Sequence, residues 1–166
     1  DRVINFLPFT HILERAWSYL ALSEGAQLII NTYPKDIQES MRATHPTCMS
    51  SVPRFWEKVY TGVKDRLDNS SAMQKKLFLR ALSVGKKYQM MNKTVLSLVR
   101  KQLGLEHPNI FPTAGATVSP EVEEFVHSIG INMIVGYGLT ESLATVSCDH
   151  KDKPYTVGSV GRIING

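Results

Sequence analysis

The sequence predicts an α/β fold in which a mostly parallel sheet is flanked by helices. Short apolar runs alternate along the chain with segments whose apolar residues recur at helical spacing. Two of the runs, residues 27–31 and 131–135, are of the type that is buried on both faces of a sheet. Capping residues stand at the ends of several helical segments. Strands and helices that alternate in this way favour parallel strands joined by helical crossovers.

Length and composition agree with one globular unit. The chain has 166 residues, of which 43% are hydrophobic and 20% charged, enough to bury a core. The 11 glycines and 8 prolines follow no period, which excludes a collagen-like or low-complexity chain. No apolar run is long enough to span a bilayer, and no signal peptide is visible. Cys48 and Cys148 share no metal-ligand spacing, so we expect two free thiols in a reducing compartment.

The first half of the chain supplies three predicted strands and two helices. Residues 3–7 form a strand that ends at Pro8. Thr10 is expected to cap a helix that stops at Gly25, with Leu13, Trp17 and Leu20 as its apolar stripe and Glu14 in solvent or paired. Residues 27–31 and 48–52 are the next strands. Between them Pro34 opens a short helix that buries Ile37 and Met41.

The second half begins with three predicted helices over residues 53–103, which we interpret as an insertion in one crossover. Ser71 and Gln74 match a capping box, Asn92 is expected to cap the third helix, and Gly104 ends it. Residues 109–113 and 131–135 are further strands, on either side of a helix that Ser119 caps. From residue 145 onward the chain is β-like, and residues 151–166 are expected to begin a β subdomain.

Charge is concentrated in the helical block. Residues 53–103 contain 12 Lys or Arg and 3 Asp or Glu, a local charge of +9, while the rest of the chain sums to −5. Such a block forms either a solvated helical face or a surface for an anionic partner such as membrane headgroups. The basic side chains that carry the second hypothesis are Lys75, Lys76, Arg80, Lys86 and Lys87.

Two motifs point to chemistry at the carboxyl ends of strands, where open α/β sheets bind ligands. The first is Gly-Tyr-Gly-Leu-Thr-Glu at residues 136–141. Its glycines let a backbone approach a ligand, its tyrosine offers a flat face, its threonine can donate to a phosphate, and its glutamate suits Mg²⁺. The second is Ala-Gly-Ala at residues 114–116. Taken alone, the first motif is equally consistent with a simple turn, and the second favours a strand-to-helix turn.

Five segments in order carry a more specific signal. They are Leu-Pro-Phe-Thr-His-Ile-Leu-Glu-Arg at 7–15, residues 46–60 with Val-Pro-Arg-Phe-Trp-Glu-Lys, Ala-Gly-Ala at 114–116 with Ser-Pro-Glu at 119–121, Gly-Tyr-Gly-Leu-Thr-Glu at 136–141, and Gly-Ser-Val-Gly-Arg at 158–162. Together they resemble consecutive blocks of the AMP-forming acyl-CoA synthetases, most closely the bacterial long-chain fatty-acid–CoA ligases. Thr117 and Ile163 stand where relatives often have proline.

The resemblance implies roles for eight residues. Tyr137 would stack on the adenine of ATP or AMP, with the backbone of Gly115 and Ala116 on its other face. Thr140 would bind the α-phosphate and Glu141 would ligate Mg²⁺, which makes these two the expected catalytic residues. The acyl and CoA path would be lined by His11, Gly138 and Leu139, and Gly138 would also contact the nucleotide.

The resemblance also implies a whole enzyme larger than this chain. The family's phosphate loop is expected upstream of Asp1 and its catalytic lysine downstream of Gly166, so residues 1–166 are expected to be an internal fragment of an AMP-binding domain that is inactive alone. The expected partners are a fatty acid, ATP and CoA, with no nucleic acid. The expected location is cytoplasmic, with peripheral membrane contact through residues 53–103. The alternatives are an adenylate-forming ligase for aryl or amino acids and a non-catalytic nucleotide-binding domain.

Overall fold

The computed structural model describes residues 1–87, 95–150 and 154–164. In this part of the chain, strands and helices follow one another as the sequence predicts. The elements are β1 (Arg2–Asn5), α1 (Ile12–Ser23), β2 (Gln27–Ile30), a 3₁₀ turn (Pro34–Asp36), α2 (Ile37–Thr44), α3 (Pro53–Asp68), α4 (Ala72–Lys87), α5 (Val95–Leu103), β3 (Phe111–Thr113), α6 (Pro120–Ser128), β4 (Met133–Leu139), β5 (Ala144–Cys148) and β6 (Arg162–Ile163). None of the described helices is both long and apolar enough to cross a membrane.

The strands form two sheets that residues 48–51 connect. β1 pairs with β2 in parallel, and β3 pairs with β4 in parallel. Between them, isolated parallel bridges join Cys48 to Val3 on one side and to Ile110 on the other. Residues 48–52 are therefore less regular than the predicted strand, although they pair with both neighbours. β5 and β6 extend the second sheet with antiparallel pairings. The mostly parallel α/β fold is confirmed.

Neighbouring residues on the central strands face opposite sides of the sheet, as β geometry requires. Val3 and Cys48 pack with Ala21 of α1 in a small apolar cluster. Ile4 and Met49, each the next residue along, belong instead to the large core beneath α2, α3, α5 and α6. The sheet is thus covered by α1 on one face and by α2, α3, α5 and α6 on the other, in the layered arrangement expected of this fold class.

Trp56 of α3 contacts the centre of the sheet. Its indole is fully buried, and Nε1 lies 2.8 Å from Ser51 Oγ and 3.1 Å from Thr113 Oγ1. The ring also meets Phe111 edge to face, with centroids 5.9 Å apart. One side chain of α3 therefore links residues 48–51 to β3, directly beneath the loop that follows β3.

We expect Trp56→Phe to lower the free energy of unfolding by about 1–3 kcal/mol, because the indole N–H is a buried donor to two hydroxyls. Trp17→Phe is the matched control, since the Trp17 Nε1 is buried without an acceptor among the described residues. Denaturant unfolding of both variants compares the two. Equal losses would show that the hydrogen bonds of Trp56 contribute nothing.

The predicted helix caps have mixed outcomes. The Ser71–Gln74 capping box is confirmed, with the Gln74 amide 3.3 Å from Ser71 Oγ and the Ser71 amide 3.1 Å from Gln74 Oε1. Ser119 accepts from the Val122 amide, as expected for the cap of α6. The prediction for Thr10 is wrong, because His11 occupies the N-cap of α1 and makes no capping bond. Asn92 lies outside the described residues.

The apolar stripe predicted for α1 is only partly its buried face. Leu13 and Trp17 are half-buried and Trp17 packs against the small apolar cluster, but Leu20 is 51% exposed. Glu14 and Ser18 are buried, so the prediction that Glu14 is solvated is wrong. The Glu14 carboxylate accepts a hydrogen bond from Ser50, and the Ser18 hydroxyl donates to the Glu14 carbonyl. Burial raises the pKa of the Glu14 carboxyl, and the Ser50 bond opposes that rise. A buried polar contact therefore adds to the apolar contacts of Ala21 and Trp17 in holding this helix on the sheet.

Candidate nucleotide and acyl site

Gly136 and Gly138 lie within a strand, and not in the turn with which the motif at residues 136–141 is also consistent. β4 continues past Val135 to Leu139 and pairs antiparallel with β5, with a register shift between Tyr137 and Gly138. A Cβ placed on Gly138 would lie 1.6 Å from the carbonyl oxygen of Ala144. Glycine therefore permits the close approach of β5, and the irregularity leaves the neighbouring Tyr137 side chain 48% exposed.

The loop after β3 presents backbone at the same edge of the sheet. Gly115 has φ of +92°, a conformation that side chains other than glycine rarely adopt. The Ala114 amide donates to the Ser51 carbonyl at 3.3 Å, which ties the loop to the central segment. The sequence prediction that small residues here bring main chain towards a ligand therefore agrees with the local geometry.

Tyr137 and this loop border one cavity of about 320 Å³. Its lining includes Gly115 and Ala116, the ring of Tyr137, and Gly158 and Ser159 ahead of β6. The cavity brings together four of the predicted nucleotide-binding residues, namely Gly115, Ala116, Tyr137 and Gly138. An exposed aromatic ring beside loop backbone suits a flat group.

A second cavity, of about 420 Å³, is lined by the end of the same strand and by the segment around the start of α1. His11 lines it together with Thr140, and Leu7, Ile12 and Leu13 add apolar surface. Gly115, Tyr137, Gly138 and Leu139 line both cavities. The predicted acyl residues His11, Gly138 and Leu139 thus border one space, which shares part of its lining with the space beside Tyr137.

Thr140 and Glu141 lie on the exposed turn between β4 and β5. Ser142 holds this turn with two hydrogen bonds to Leu139. Its hydroxyl donates to the Leu139 carbonyl at 3.0 Å, and the Leu139 amide donates to the Ser142 hydroxyl oxygen at 3.1 Å. Thr140 lines the second cavity, whereas Glu141 lines neither cavity. An exposed carboxylate beside a hydroxyl offers hard oxygen donors, which fit a Mg²⁺ ion that takes its other ligands from phosphates and water. Within the described residues, no group of three or more His, Cys, Asp or Glu could hold a metal alone.

Among the lining residues of the first cavity that the sequence analysis did not single out, Glu123 is the charged one. Its side chain is 1% exposed. Its Oε2 accepts from the Gly158 amide at 3.0 Å. Burial raises the pKa of the Glu123 carboxyl, the Gly158 bond opposes the rise, and Asp149 adds to it. No motif signals this role, because an acidic residue in a first helical turn is ordinary.

Comparison with known proteins places the chain in a family. The AMP-binding enzyme family matches residues 1–166. The long-chain-fatty-acid–CoA ligase ACSBG2 of Rattus norvegicus is 29% identical over all of this chain and 28% of its own length. The peroxisomal long chain acyl-CoA synthetase 6 of Arabidopsis thaliana is 31% identical over 89% of this chain and 22% of its own length. The chain thus spans less than a third of these relatives.

Solved structures agree with the fold. The N-terminal domain of FACL13 from Mycobacterium tuberculosis matches with a TM-score of 0.63 at 16% identity, over 98% of this chain and 33% of that one. O-succinylbenzoate coenzyme A synthetase from Bacillus subtilis, solved with ATP and magnesium ion, matches with a TM-score of 0.62 at 14% identity, over 99% of this chain and 27% of that one. With a family match along its full length, the chain belongs to the AMP-binding enzymes.

Proposed function

We propose that the whole protein is an AMP-forming ligase that activates a long-chain fatty acid with ATP and transfers the acyl group to CoA. The observation that carries the proposal is the pair of cavities that share Gly115, Tyr137, Gly138 and Leu139 in their lining. One is bordered by an exposed ring and bare backbone, and the other by apolar side chains and Thr140. Relatives named as long-chain ligases support the choice of acid.

In the first step, the fatty-acid carboxylate attacks the α-phosphorus of ATP, an acyl–phosphate bond forms, and pyrophosphate leaves. The carboxylate is already ionised near neutral pH, so the attack needs no strong protein base. Tyr137 and the Gly115–Ala116 backbone hold the adenine, which fixes the phosphate relative to the acid. The Thr140 hydroxyl donates to an α-phosphate oxygen, and Glu141 binds the cation. Mg²⁺ supplies positive charge that offsets charge on the phosphates.

In the second step, the CoA thiol displaces AMP and gives the thioester. The second cavity is where the acid's carboxyl end meets the nucleotide, since Thr140, Gly138 and Leu139 line it together with His11. We assign His11 to the acyl and CoA path. It sits at the exposed start of α1, where a mobile substrate can reach it.

Thioester formation by the whole protein, measured with saturated acids of increasing length, an aryl acid and an amino acid, tests the proposal. We expect ATP- and CoA-dependent product with the long acids and little with the others. Preference for the aryl or amino acid would indicate another adenylate-forming ligase. Nucleotide binding without any product would indicate a non-catalytic domain.

We expect Tyr137→Ala to raise the KM for ATP in the whole protein, because the substitution removes the face on which adenine stacks. Tyr137→Phe keeps the ring and is the matched control, so its KM should stay near that of the wild type. Steady-state kinetics at saturating acid separates the two variants. A Phe variant as impaired as the Ala variant would refute stacking.

We also propose that the basic face of α4 contacts anionic membrane surfaces from which the acid is drawn. Lys76 is exposed on this helix, while Lys75 pairs with Asp68 and the side chains of Lys86 and Lys87 lie outside the described part. Each Lys or Arg near such a surface contributes about 1 kcal/mol. Co-sedimentation should show binding to anionic vesicles at low salt that is lost near physiological salt. Equal binding to zwitterionic vesicles would contradict the proposal.

A further inference from the structure

A buried cluster of three polar side chains, Ser51, Trp56 and Thr113, lies beneath the loop that follows β3. The Ser51 Oγ and the Thr113 Oγ1 are 2.8 Å apart, and the Trp56 Nε1 reaches both. All three residues are fully buried. The indole N–H only donates, so both hydroxyl oxygens accept from it, and each hydroxyl has one proton of its own to donate. The Pro112 carbonyl, 3.2 Å from the Ser51 Oγ, accepts from the cluster.

The backbone that lines the first cavity begins at this cluster. Thr113 is the last residue of β3, and the Ala114 amide after it donates to the Ser51 carbonyl at 3.3 Å. Within the described part of the chain, the backbone of residues 115–118 makes no hydrogen bond to other backbone. The next fixed point is the Val118 side chain, which is buried in the core. The position of this loop in the cavity wall therefore depends on what holds its first residues.

We infer that Ser51 and Thr113 are positioning residues for nucleotide binding. They line neither cavity, and they act by holding the backbone of residues 115–116 that lines the first one. The inference rests on the proposed function, because it takes a nucleotide as the occupant of that cavity. Backbone that is already in place loses little freedom when the ligand binds, so the affinity depends on the groups that hold it.

Ser50 provides a matched control on the opposite face of the same segment. It is also a fully buried serine whose hydroxyl makes a hydrogen bond, in its case to the Glu14 carboxylate of α1. Neighbouring residues of an extended segment face opposite sides of a sheet, so Ser50 faces α1 while Ser51 faces α3. No residue of α1 lines the first cavity. Loss of the Ser50 hydroxyl should therefore lower stability without changing the affinity for a nucleotide.

Calorimetric titration of AMP into variants of the whole protein, with thermal unfolding of each, tests the inference. Ser51→Ala and Thr113→Val each remove one hydroxyl and leave the other as an acceptor for Trp56, so both should fold. We expect them to bind AMP about three- to tenfold more weakly than the wild type, the effect that one lost hydrogen bond allows. Thr113→Ser keeps the hydroxyl and should recover most of the affinity that Thr113→Val loses. Ser50→Ala should bind AMP as the wild type does.

The outcomes separate this inference from the proposed function. Wild-type AMP affinity in folded Ser51→Ala and Thr113→Val proteins overturns the inference and leaves the proposed function standing. An equal loss of affinity in Ser50→Ala also overturns it, because affinity would then follow stability in general. A wild-type protein that binds no AMP contradicts both.

Hydrogen exchange of the unmodified protein keeps the test independent of variant folding. If the cluster holds the loop before a ligand arrives, the Ala114 amide is protected without AMP, and AMP changes its exchange rate little. We expect this amide to exchange at least about tenfold more slowly than in an unstructured peptide. Exchange at the unstructured rate, with protection only once AMP is bound, overturns the inference.

Discussion

Gly138→Ala is expected to destabilise the protein and to abolish nucleotide binding together. The added Cβ would lie 1.6 Å from the Ala144 carbonyl oxygen and 2.5 Å from its carbon. Because the obstacle is backbone, β4 and β5 must separate rather than a side chain rotate. Overpacking commonly costs about 1–3 kcal/mol, and a clash with backbone belongs at or above the upper end of that range. Separation of the strands also displaces Tyr137, which borders both cavities.

Gly62→Ala is the control for this substitution. Gly62 is exposed within α3, and a Cβ there has no atom within 4 Å. Alanine in a helix interior is favoured over glycine by about 0.5–1 kcal/mol, so this variant should be slightly more stable than the wild type. Thermal unfolding and AMP titration of the two variants measure both effects. A Gly138→Ala protein with wild-type stability and AMP affinity would show that β5 does not approach β4 as closely as described.

Glu141→Ala and Thr140→Ala are expected to slow formation of the acyl-adenylate in the whole protein. The first removes the proposed cation ligand, and the second removes a hydrogen bond to a charged phosphate oxygen. Such a bond contributes about 1.5–3 kcal/mol, which corresponds to roughly a 10- to 150-fold loss in rate. Acid-dependent exchange of pyrophosphate into ATP reports this step alone. Neither side chain is buried, so unfolding should be unaffected.

Glu24→Ala is the control for Glu141→Ala, because Glu24 is an exposed glutamate at the end of α1 that lines neither cavity. Its exchange rate should equal that of the wild type. Wild-type exchange in both the Thr140 and the Glu141 variants would refute the roles proposed for the turn. Raised magnesium should partly restore Glu141→Ala but not Thr140→Ala, since only the former is proposed to act through the cation.

The alternation of strands and helices could be predicted because it follows from local spacing and capping. The apolar core residues of the helical block, such as Trp56 and Val59, are buried as their helical spacing predicts. The capping box at Ser71 is equally local, since both of its hydrogen bonds join residues three apart. Signals of this kind depend on neighbours in sequence, so one sequence is enough to find them.

The limits of β4 could not be predicted from the sequence, because they depend on a distant partner. Gly136 and Gly138 are poor strand formers, and local propensity ends the strand at Val135. Pairing with β5 overrides that propensity, and the glycines permit the close approach of Ala144. The same motif could therefore be recognised as a site while its backbone conformation was not.

The burial of two carboxyl groups also could not be predicted from the sequence. Glu14 and Glu123 both stand in the first turn of a helix, where a solvated or capping role is the usual one. Each is buried, and one oxygen of each accepts a hydrogen bond from a group far along the chain, the Ser50 hydroxyl for Glu14 and the Gly158 amide for Glu123. Tertiary hydrogen bonds of this range leave no periodic trace in a sequence, so only the structure reveals them.

A structure of the whole protein with bound AMP tests the central claim most directly. The claim is that the cavity between the Gly115–Ala116 backbone and Tyr137 holds the adenine, with the phosphate towards Thr140. The predicted result is an adenine ring stacked on Tyr137, with its phosphate towards Thr140 on the side of the second cavity. AMP bound elsewhere, or bound here with its phosphate away from Thr140, would contradict the account.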